Sequence, residues 1–203
     1  MSVTVNITKG DTVLIFIMEQ SANRTFTIAD PAGNSYTRLG AIMFGSPYLQ
    51  VYSTAAGGAK ASSGTMTMTN SGAAERSAAL VVDAYNVGSI TQYDLTASGT
   101  SVTPALTNGT LDNNNLFVTE MLWYYASGNT TVSANQGTLQ SSFGGTAATY
   151  GGALVTNTSA TPASVTDSVT ISQSTGWNAL GVELRSVQLN VPTVDLPPVL
   201  IQS

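Results

Sequence analysis

The sequence contains no cysteine and no histidine among its 203 residues. The lack of cysteine excludes disulfide bonds and thiolate metal sites, so the fold must be stable without covalent cross-links. The lack of histidine removes the side chain that most often serves as a general base near neutral pH and most often binds transition metals. We therefore expect neither a cofactor nor an enzymatic activity.

Charged residues are also scarce. They make up 8% of the chain, against about 25% in an average soluble protein. The 11 acidic and 6 basic residues give a formal net charge of −5, and so few cations cannot form the positive surface that binds nucleic acid or anionic lipid. The longest apolar run, residues 13–18, is far too short to span a membrane. These shortages argue against nucleic acid and membranes as partners.

The residues that are abundant are typical of a folded β-protein. Hydrophobic residues make up 42% of the chain, and valine and threonine, whose branched Cβ atoms favour strands, are frequent. Short apolar or alternating runs lie between turn-forming clusters, and no window has the periodicity of a helix. We predict strands at 3–8, 12–19, 24–28, 48–54, 64–69, 78–85, 116–125, 130–133, 153–156, 168–172 and 177–185.

The two halves of the chain resemble each other at an offset of roughly a hundred residues. Residues 12–19 are similar to 116–121, and 79–85 to 179–185. We predict that residues 1–187 form an antiparallel, jelly-roll-like β-sandwich of two similar four-stranded halves, at about 1–100 and 101–187. Two separate small domains are the alternative, but only the polar loop predicted at 96–103 lies between the halves.

The last segment, residues 188–203, differs from the rest because it contains Pro192, Pro197 and Pro198. Proline opposes helices and central strands, so we predict an extended, polyproline-like C-terminal arm. Its aliphatic side chains must pack somewhere, either back on the sandwich or against a neighbouring subunit. We predict an interface arm whose contact residues are Val191, Val194, Leu196, Val199, Leu200 and Ile201.

Two oxygen-rich loops are candidates for calcium, which needs neither histidine nor cysteine. One contains Asp30 and Asn34, and the other Asp112 and Asn114. The spacing matches no defined calcium loop, and such residues are common in turns because they bond to nearby backbone.

The aromatic run Trp123, Tyr124 and Tyr125 has two interpretations. Trp123 and Tyr125 share one face of a strand and Tyr124 lies on the other. Core packing explains one face, and an exposed face would contact a glycan or a protein partner.

Two pairs of carboxylates are at similar positions in the two halves. These pairs are Glu19 with Glu120 and Asp83 with Glu183. Glycoside hydrolysis needs two carboxylates at a fixed separation, so a glycan-cleaving enzyme is one hypothesis. Carboxylates at strand ends are more often solvated, and we assign no catalytic residue.

The order of strands and turns resembles a β-sandwich domain of phage and bacterial surface proteins. The matching elements include residues 10–15, 30–37, 65–69, 79–85 and 177–184. The resemblance covers about residues 3 to 187 and rests on strand and turn motifs of low chemical specificity. It implies a structural or adhesive role like that of capsid decoration proteins, head fibres and tail-fibre modules, and it supplies no catalytic residue.

We therefore expect a virion structural protein, a capsid decoration or cement protein or a related fibre module. It would be a homo-oligomer, a dimer or trimer, that contacts the major capsid protein or other virion subunits. Because the strand pattern starts at the first residues, we also expect no signal peptide, synthesis in the host cytoplasm and a place on the virion exterior. A carbohydrate-binding or adhesin module is the alternative.

Overall fold

The structure, a computed structural model, describes residues 1–20, 24–42, 48–72, 77–112, 114–124, 131–143, 150–159, 161–187, 193–194 and 199–202. The described residues form strands and turns. They contain no helix, and therefore no helix that is long and apolar enough to cross a membrane. All strand pairs among these residues are antiparallel. The predicted all-β, antiparallel fold is confirmed.

The strands fall into two sets and a terminal pair. The first set is β1 (Ser2–Ile7), β2 (Thr12–Glu19), β3 (Phe26–Ala29), β4 (Thr37–Ile42), β5 (Tyr48–Ser53), β6 (Ser62–Asn70) and β7 (Ser77–Tyr85). After the long β8 (Val87–Ser101), the second set is β9 (Ala105–Leu111), β10 (Leu116–Tyr124), β11 (Val132–Gln136), β12 (Thr138–Phe143), β13 (Tyr150–Thr158), β14 (Ala163–Ile171) and β15 (Thr175–Ser186). The terminal pair is β16 (Thr193–Val194) and β17 (Val199–Gln202).

These strands form four sheets. Sheet A has the order β1-β6-β3, and sheet B has the order β16-β7-β2-β5-β4 with β17 also paired to β7. Sheet C has the order β12-β13-β10-β15-β8, and sheet D has the order β11-β14-β9. When eight is added to the strand numbers, β1-β6-β3 becomes β9-β14-β11 and β7-β2-β5-β4 becomes β15-β10-β13-β12. The two sets of seven strands therefore share one strand order.

Three hydrophobic cores stack the sheets in the order A, B, C, D. One core lies between sheets A and B, one between C and D, and the third joins sheet B to sheet C. Strand β2 shows how the sequence produces this: Val13, Ile15 and Ile17 face sheet A, while Leu14 and Phe16 face sheet C. An inner strand is buried on both faces, which is why its sequence is a continuous apolar run.

The outer sheets are covered on one face only, and their strands alternate accordingly. In β1, Val3, Val5 and Ile7 are buried while the residues between them are exposed. In the outer and the inner sheets, the bounds of the predicted strands agree with those of the observed strands to within a few residues. Four strands of the two sets were not predicted, namely β4, β8, β9 and β12, and neither were the short β16 and β17 of the arm.

The predicted loop at 96–103 is wrong, and the turn that the dipeptide Asn108-Gly109 would favour is also not formed. Residues 96–101 belong to β8, and Asn108 and Gly109 lie inside β9. Asn108 stays in a strand because its side chain is buried and bonds across the core to Glu183. The predicted four strands per half are also too few, since each set has seven, and the jelly-roll connectivity stays a prediction.

The chain passes from sheet B to sheet C at a single residue, Asn86. Its φ of 61° lies in the left-handed region, which asparagine tolerates better than most residues. Strand β7 ends just before it and β8 begins just after it. This turn links the two sandwiches without a flexible linker.

Candidate assembly interface

The C-terminal arm adds two short strands to the outer edge of β7. In β16, Thr193 lies opposite Tyr85 and Val194 opposite Ala84. In β17, residues 199–202 pair with residues 81–78 of β7. The arm is thus extended where it is described, and in this chain it packs back on the sandwich.

The predicted contact residues of the arm divide between these strands and the positions around them. Val194, Val199, Leu200 and Ile201 lie in β16 and β17. Val191 and Leu196 lie outside the described residues. Contact of the arm with a neighbouring subunit stays a prediction.

Strand β7 needs a partner on its outer edge because it is almost completely buried. Its residues from Ser77 to Ala84 are buried and only Tyr85 is exposed. One edge of β7 pairs with β2, and the other would leave backbone N–H and C=O groups without hydrogen bonds. The arm supplies those bonds.

The aromatic run does not form a sugar-stacking platform at Trp123. This side chain is fully buried in the core between sheets C and D. Trp177 lies opposite it on β15, packs against the same core, and donates from Nε1 to Ser101 Oγ at 3.0 Å. Tyr124 lies in β10, its side chain is outside the described part, and Tyr125 lies outside the described residues.

The loop that contains Asp30 and Asn34 brings side-chain oxygens close together, but each of these oxygens accepts hydrogen bonds from donors of the protein itself. Asp30 Oδ1 accepts bonds from the backbone of Ala32 and Asn34 at 2.9 and 3.2 Å. Asp30 Oδ2 accepts from Asn34 Nδ2 at 2.8 Å and from the Tyr36 hydroxyl at 2.5 Å. Asn34 Oδ1 accepts from the backbone of Lys60 at 2.7 Å.

These bonds also set the ionisation of Asp30. Burial raises its pKa, but the bonds from Tyr36, Asn34 and Ala32 outweigh burial and leave the pKa below its ordinary value. An ionised carboxylate held by donors on both oxygens closes the loop. The loop is thus a hydrogen-bonded turn, and calcium binding at it stays a prediction.

The second calcium candidate is a turn between β9 and β10. Asp112 is exposed, and its carbonyl accepts a bond from the backbone of Asn115 at 3.2 Å. Asn114 has a φ of 61° and donates from its backbone to Ser159 at 3.2 Å. No group of three or more acidic residues that could hold a metal occurs in the part of the chain that the structure describes.

Glu19 and Glu120 do not occupy equivalent positions. Glu120 lies opposite Leu180 in the ladder with β15, the place that Phe16 takes opposite Leu80 in the ladder with β7. Glu120 therefore faces the core between sheets B and C, while Glu19 faces the side of sheet A. The predicted equivalence of the two residues is wrong, because their side chains leave different faces of different sheets.

Each of the two residues has its own surroundings. Glu19 is fully buried and accepts from Asn70 Nδ2 at 2.6 Å, with Arg24 Nη1 at 3.6 Å. Glu120 is 1% exposed, and its Oε2 has no hydrogen-bond partner among the described residues. Burial raises the pKa of Glu120 well above its ordinary value.

Asp83 and Glu183 do occupy equivalent positions, opposite Val13 and Phe117 in their ladders. Glu183 is buried and accepts from Asn108 Nδ2 at 2.9 Å and from Asn115 Nδ2. Asp83 is also buried and accepts from the backbone of Thr8 at 3.4 Å. Each carboxylate lies near the end of an inner strand, β7 or β15, and bonds to a residue in or next to the outer sheet of the same set.

No family is found for this chain. No protein-family model matches the sequence, and neither a curated protein nor a solved structure matches it significantly. The resemblance to phage and bacterial surface domains stays a prediction.

The longest strand that sequence reasoning missed is β8, which covers the outer edge of β15. Its polar residues suggested a loop, yet Leu95 and Ala97 pack at alternate positions against the core between sheets C and D. Near its start, Val87 and Ile90 pack against the core between sheets B and C. The alternation of small apolar residues with serine and threonine was the signal for this strand.

Proposed function

We propose that this protein is a structural subunit on the exterior of a virus particle, a capsid decoration or cement protein or a related fibre module. It acts through contacts between subunits and carries out no reaction. It assembles as a dimer or trimer on the major capsid protein or on other virion subunits.

The observation that carries this proposal is the pairing of the C-terminal arm with the outer edge of β7. The arm is an added strand on a sheet edge, and strand addition is a common way for one protein to hold another. Backbone hydrogen bonds supply the affinity in such a contact, so few charged side chains are needed. The low charge of this chain agrees with that kind of binding.

The hydrogen-bonded carboxylates support the same proposal. Glu19, Glu183 and Asp30 each accept hydrogen bonds that join strands or close a turn. An acid–base residue has to be free to meet a substrate, whereas these three groups are engaged in hydrogen bonds within the chain, and Glu19 and Glu183 are also buried. Their surroundings favour a structural role.

The experiment is immunogold electron microscopy of purified virus particles with an antibody against this protein. We expect gold on the particle surface and release of the protein by mild denaturant without loss of the genome. Particles that carry no label, with the protein found only in the infected-cell lysate, would overturn the proposal.

An adhesin or carbohydrate-binding module is the second candidate, because Tyr93 on β8 is 42% exposed. Exposed tyrosines stack on sugar rings. This candidate predicts binding on a glycan array that Tyr93→Ala abolishes, with Tyr85→Ala, an equally exposed tyrosine on β7, as the matched control.

A further inference from the structure

The two sandwiches complete each other by exchanging strands. Strand β8 follows β7, leaves the first set and pairs with β15, the last strand of the second set. Strands β16 and β17 follow β15 and pair with β7, the last strand of the first set. Each set thus gives the segment after its last strand to the other.

The exchange uses equivalent positions in both directions. Val87, just after β7, lies opposite Ser186 at the end of β15. Thr193, the first residue of β16, lies opposite Tyr85 at the end of β7. In each case an inner strand is paired on one edge within its own set and on the other edge by the exchanged segment. The chain therefore has the connectivity of a strand-exchanged dimer joined end to end.

The two connections differ in length. A single residue, Asn86, joins β7 to β8, so this connection has no spare chain with which β8 could reach another molecule. Six residues, 187–192, separate β15 from β16, and a segment of that length spans about 20 Å when extended. The second exchange is the one with enough chain to reach another molecule.

The same contacts form whether the arm comes from this chain or from a second copy. The free-energy difference between the two states is then set by the entropy of association and by the connecting segment. A high local concentration shifts that balance toward exchange between molecules, and subunits side by side on a particle surface have such a concentration.

We propose that the outer edge of β7, residues 78–81 and 84–85, is an acceptor for the C-terminal arm of a second copy of this chain. The arm takes the register it has here, with Gln202 opposite Ala78 and Val194 opposite Ala84. This inference rests on the proposed function and names the contact by which neighbouring subunits are linked.

The absence of cysteine allows a direct test with engineered pairs. Opposed residues of an antiparallel ladder have Cα atoms about 4.5–5.5 Å apart, within the range that a disulfide spans. One variant carries Ala78→Cys and a second, with a different affinity tag, carries Gln202→Cys. The two are co-expressed in full-length form and oxidised.

We expect a covalent heterodimer of the two tagged chains on non-reducing gels. The inference is overturned if no heterodimer forms while the double variant Ala78→Cys/Gln202→Cys closes a disulfide within one chain. The pair Ala84→Cys and Val194→Cys repeats the test at β16 if substitution of the buried Ala78 prevents folding.

The matched control is Thr4→Cys with Thr65→Cys, two exposed residues opposed in the ladder of β1 and β6. That double variant must close within one chain, and its co-expressed single variants must give no heterodimer. Equal heterodimer formation by the control and the arm pair overturns the inference, because it shows random collision.

The particle-labelling experiment separates this inference from the proposed function. Labelled particles without heterodimer leave the proposed function standing and overturn the strand exchange. A heterodimer without labelled particles supports the strand exchange and overturns the proposed function.

Discussion

Asp167 is the residue in which burial has the clearest energetic consequence. It is fully buried between sheets C and D, and neither carboxyl oxygen has a hydrogen bond of normal geometry among the described residues. Burial raises its pKa from 3.8 to about 7, although Thr119 and Asn157 lie near enough to lower it in part. The folded protein therefore holds this proton at pH values where the unfolded chain has released it.

The sign of the pH dependence follows from this difference. Stability from Asp167 is fully present below pH 3.8 and is lost as the pH rises through about 7. A pKa difference of this size corresponds to a change on the order of 4 kcal/mol. We expect Asp167→Asn to become progressively more stable relative to the wild type between pH 4 and 7, and the difference to level off above that range.

Urea denaturation of both proteins at several pH values measures this difference. The comparison of variant with wild type removes the contribution of Glu120, which changes stability in the same direction in both proteins. A difference that is constant from pH 4 to 8 would contradict the prediction.

A second prediction at the residue scale concerns Glu183. The side chains of Asn108 and Asn115 both donate to its carboxylate, so Glu183→Gln places one amide donor against another. We expect a loss of about 1–3 kcal/mol in the free energy of unfolding. Asp94→Asn, which neutralises an exposed carboxylate on β8, is the control and should change stability by less than about 0.5 kcal/mol.

At the scale of the elements, the glycines of β9 and β15 differ in what surrounds them. A Cβ atom at Gly181 in β15 would lie 2.6 Å from Phe117 and 2.7 Å from Leu106, whereas one at Gly109 in β9 would meet nothing within 4 Å. The close contacts at Gly181 let sheet D approach sheet C. The glycine is there for packing.

We expect Gly181→Ala to destabilise the protein by about 1–3 kcal/mol, because the core has to move to admit the methyl group. Gly109→Ala should be neutral or stabilising by up to about 1 kcal/mol, because it only restricts the unfolded chain. Thermal unfolding of the two variants measures these changes in stability. Equal changes in the two variants would contradict the role given to Gly181.

The elements also show what the sequence could and could not predict. Strands such as β2 and β10 were predictable because long apolar runs at that length favour strands buried on both faces. The strands β8 and β9 were not, because serine, threonine, asparagine and glycine are typical of turns unless tertiary contacts hold them in a ladder. Glu120 was misplaced for a different reason: when β2 is aligned with β10, a register error of three residues moves a side chain to the opposite face of the sheet.

At the scale of the whole molecule, the C-terminal arm was predictable as an extended apolar segment, but its partner strand was not. Pairing between residues so far apart in sequence leaves no local pattern. The sequence shows that residues 191–201 are rich in apolar side chains. The edge that they cover exists only after β7 has paired with β2.

We expect removal of residues 188–203 to abolish the proposed dimer or trimer, because the deleted segment is the proposed link between subunits. Light scattering coupled to gel filtration measures the mass of each protein, and removal of Ser203 alone is the control. A truncated protein with the mass of the full-length oligomer would contradict the prediction.

The exchange of strands between the two sandwiches also determines when the edge of β7 can be covered during translation. The ribosome completes β1 to β7 when fewer than half of the residues have been added, yet the outer edge of β7 waits for residues 193–202. The nascent first sandwich therefore carries a bare, apolar sheet edge through most of its synthesis, and a chaperone has that interval in which to protect it.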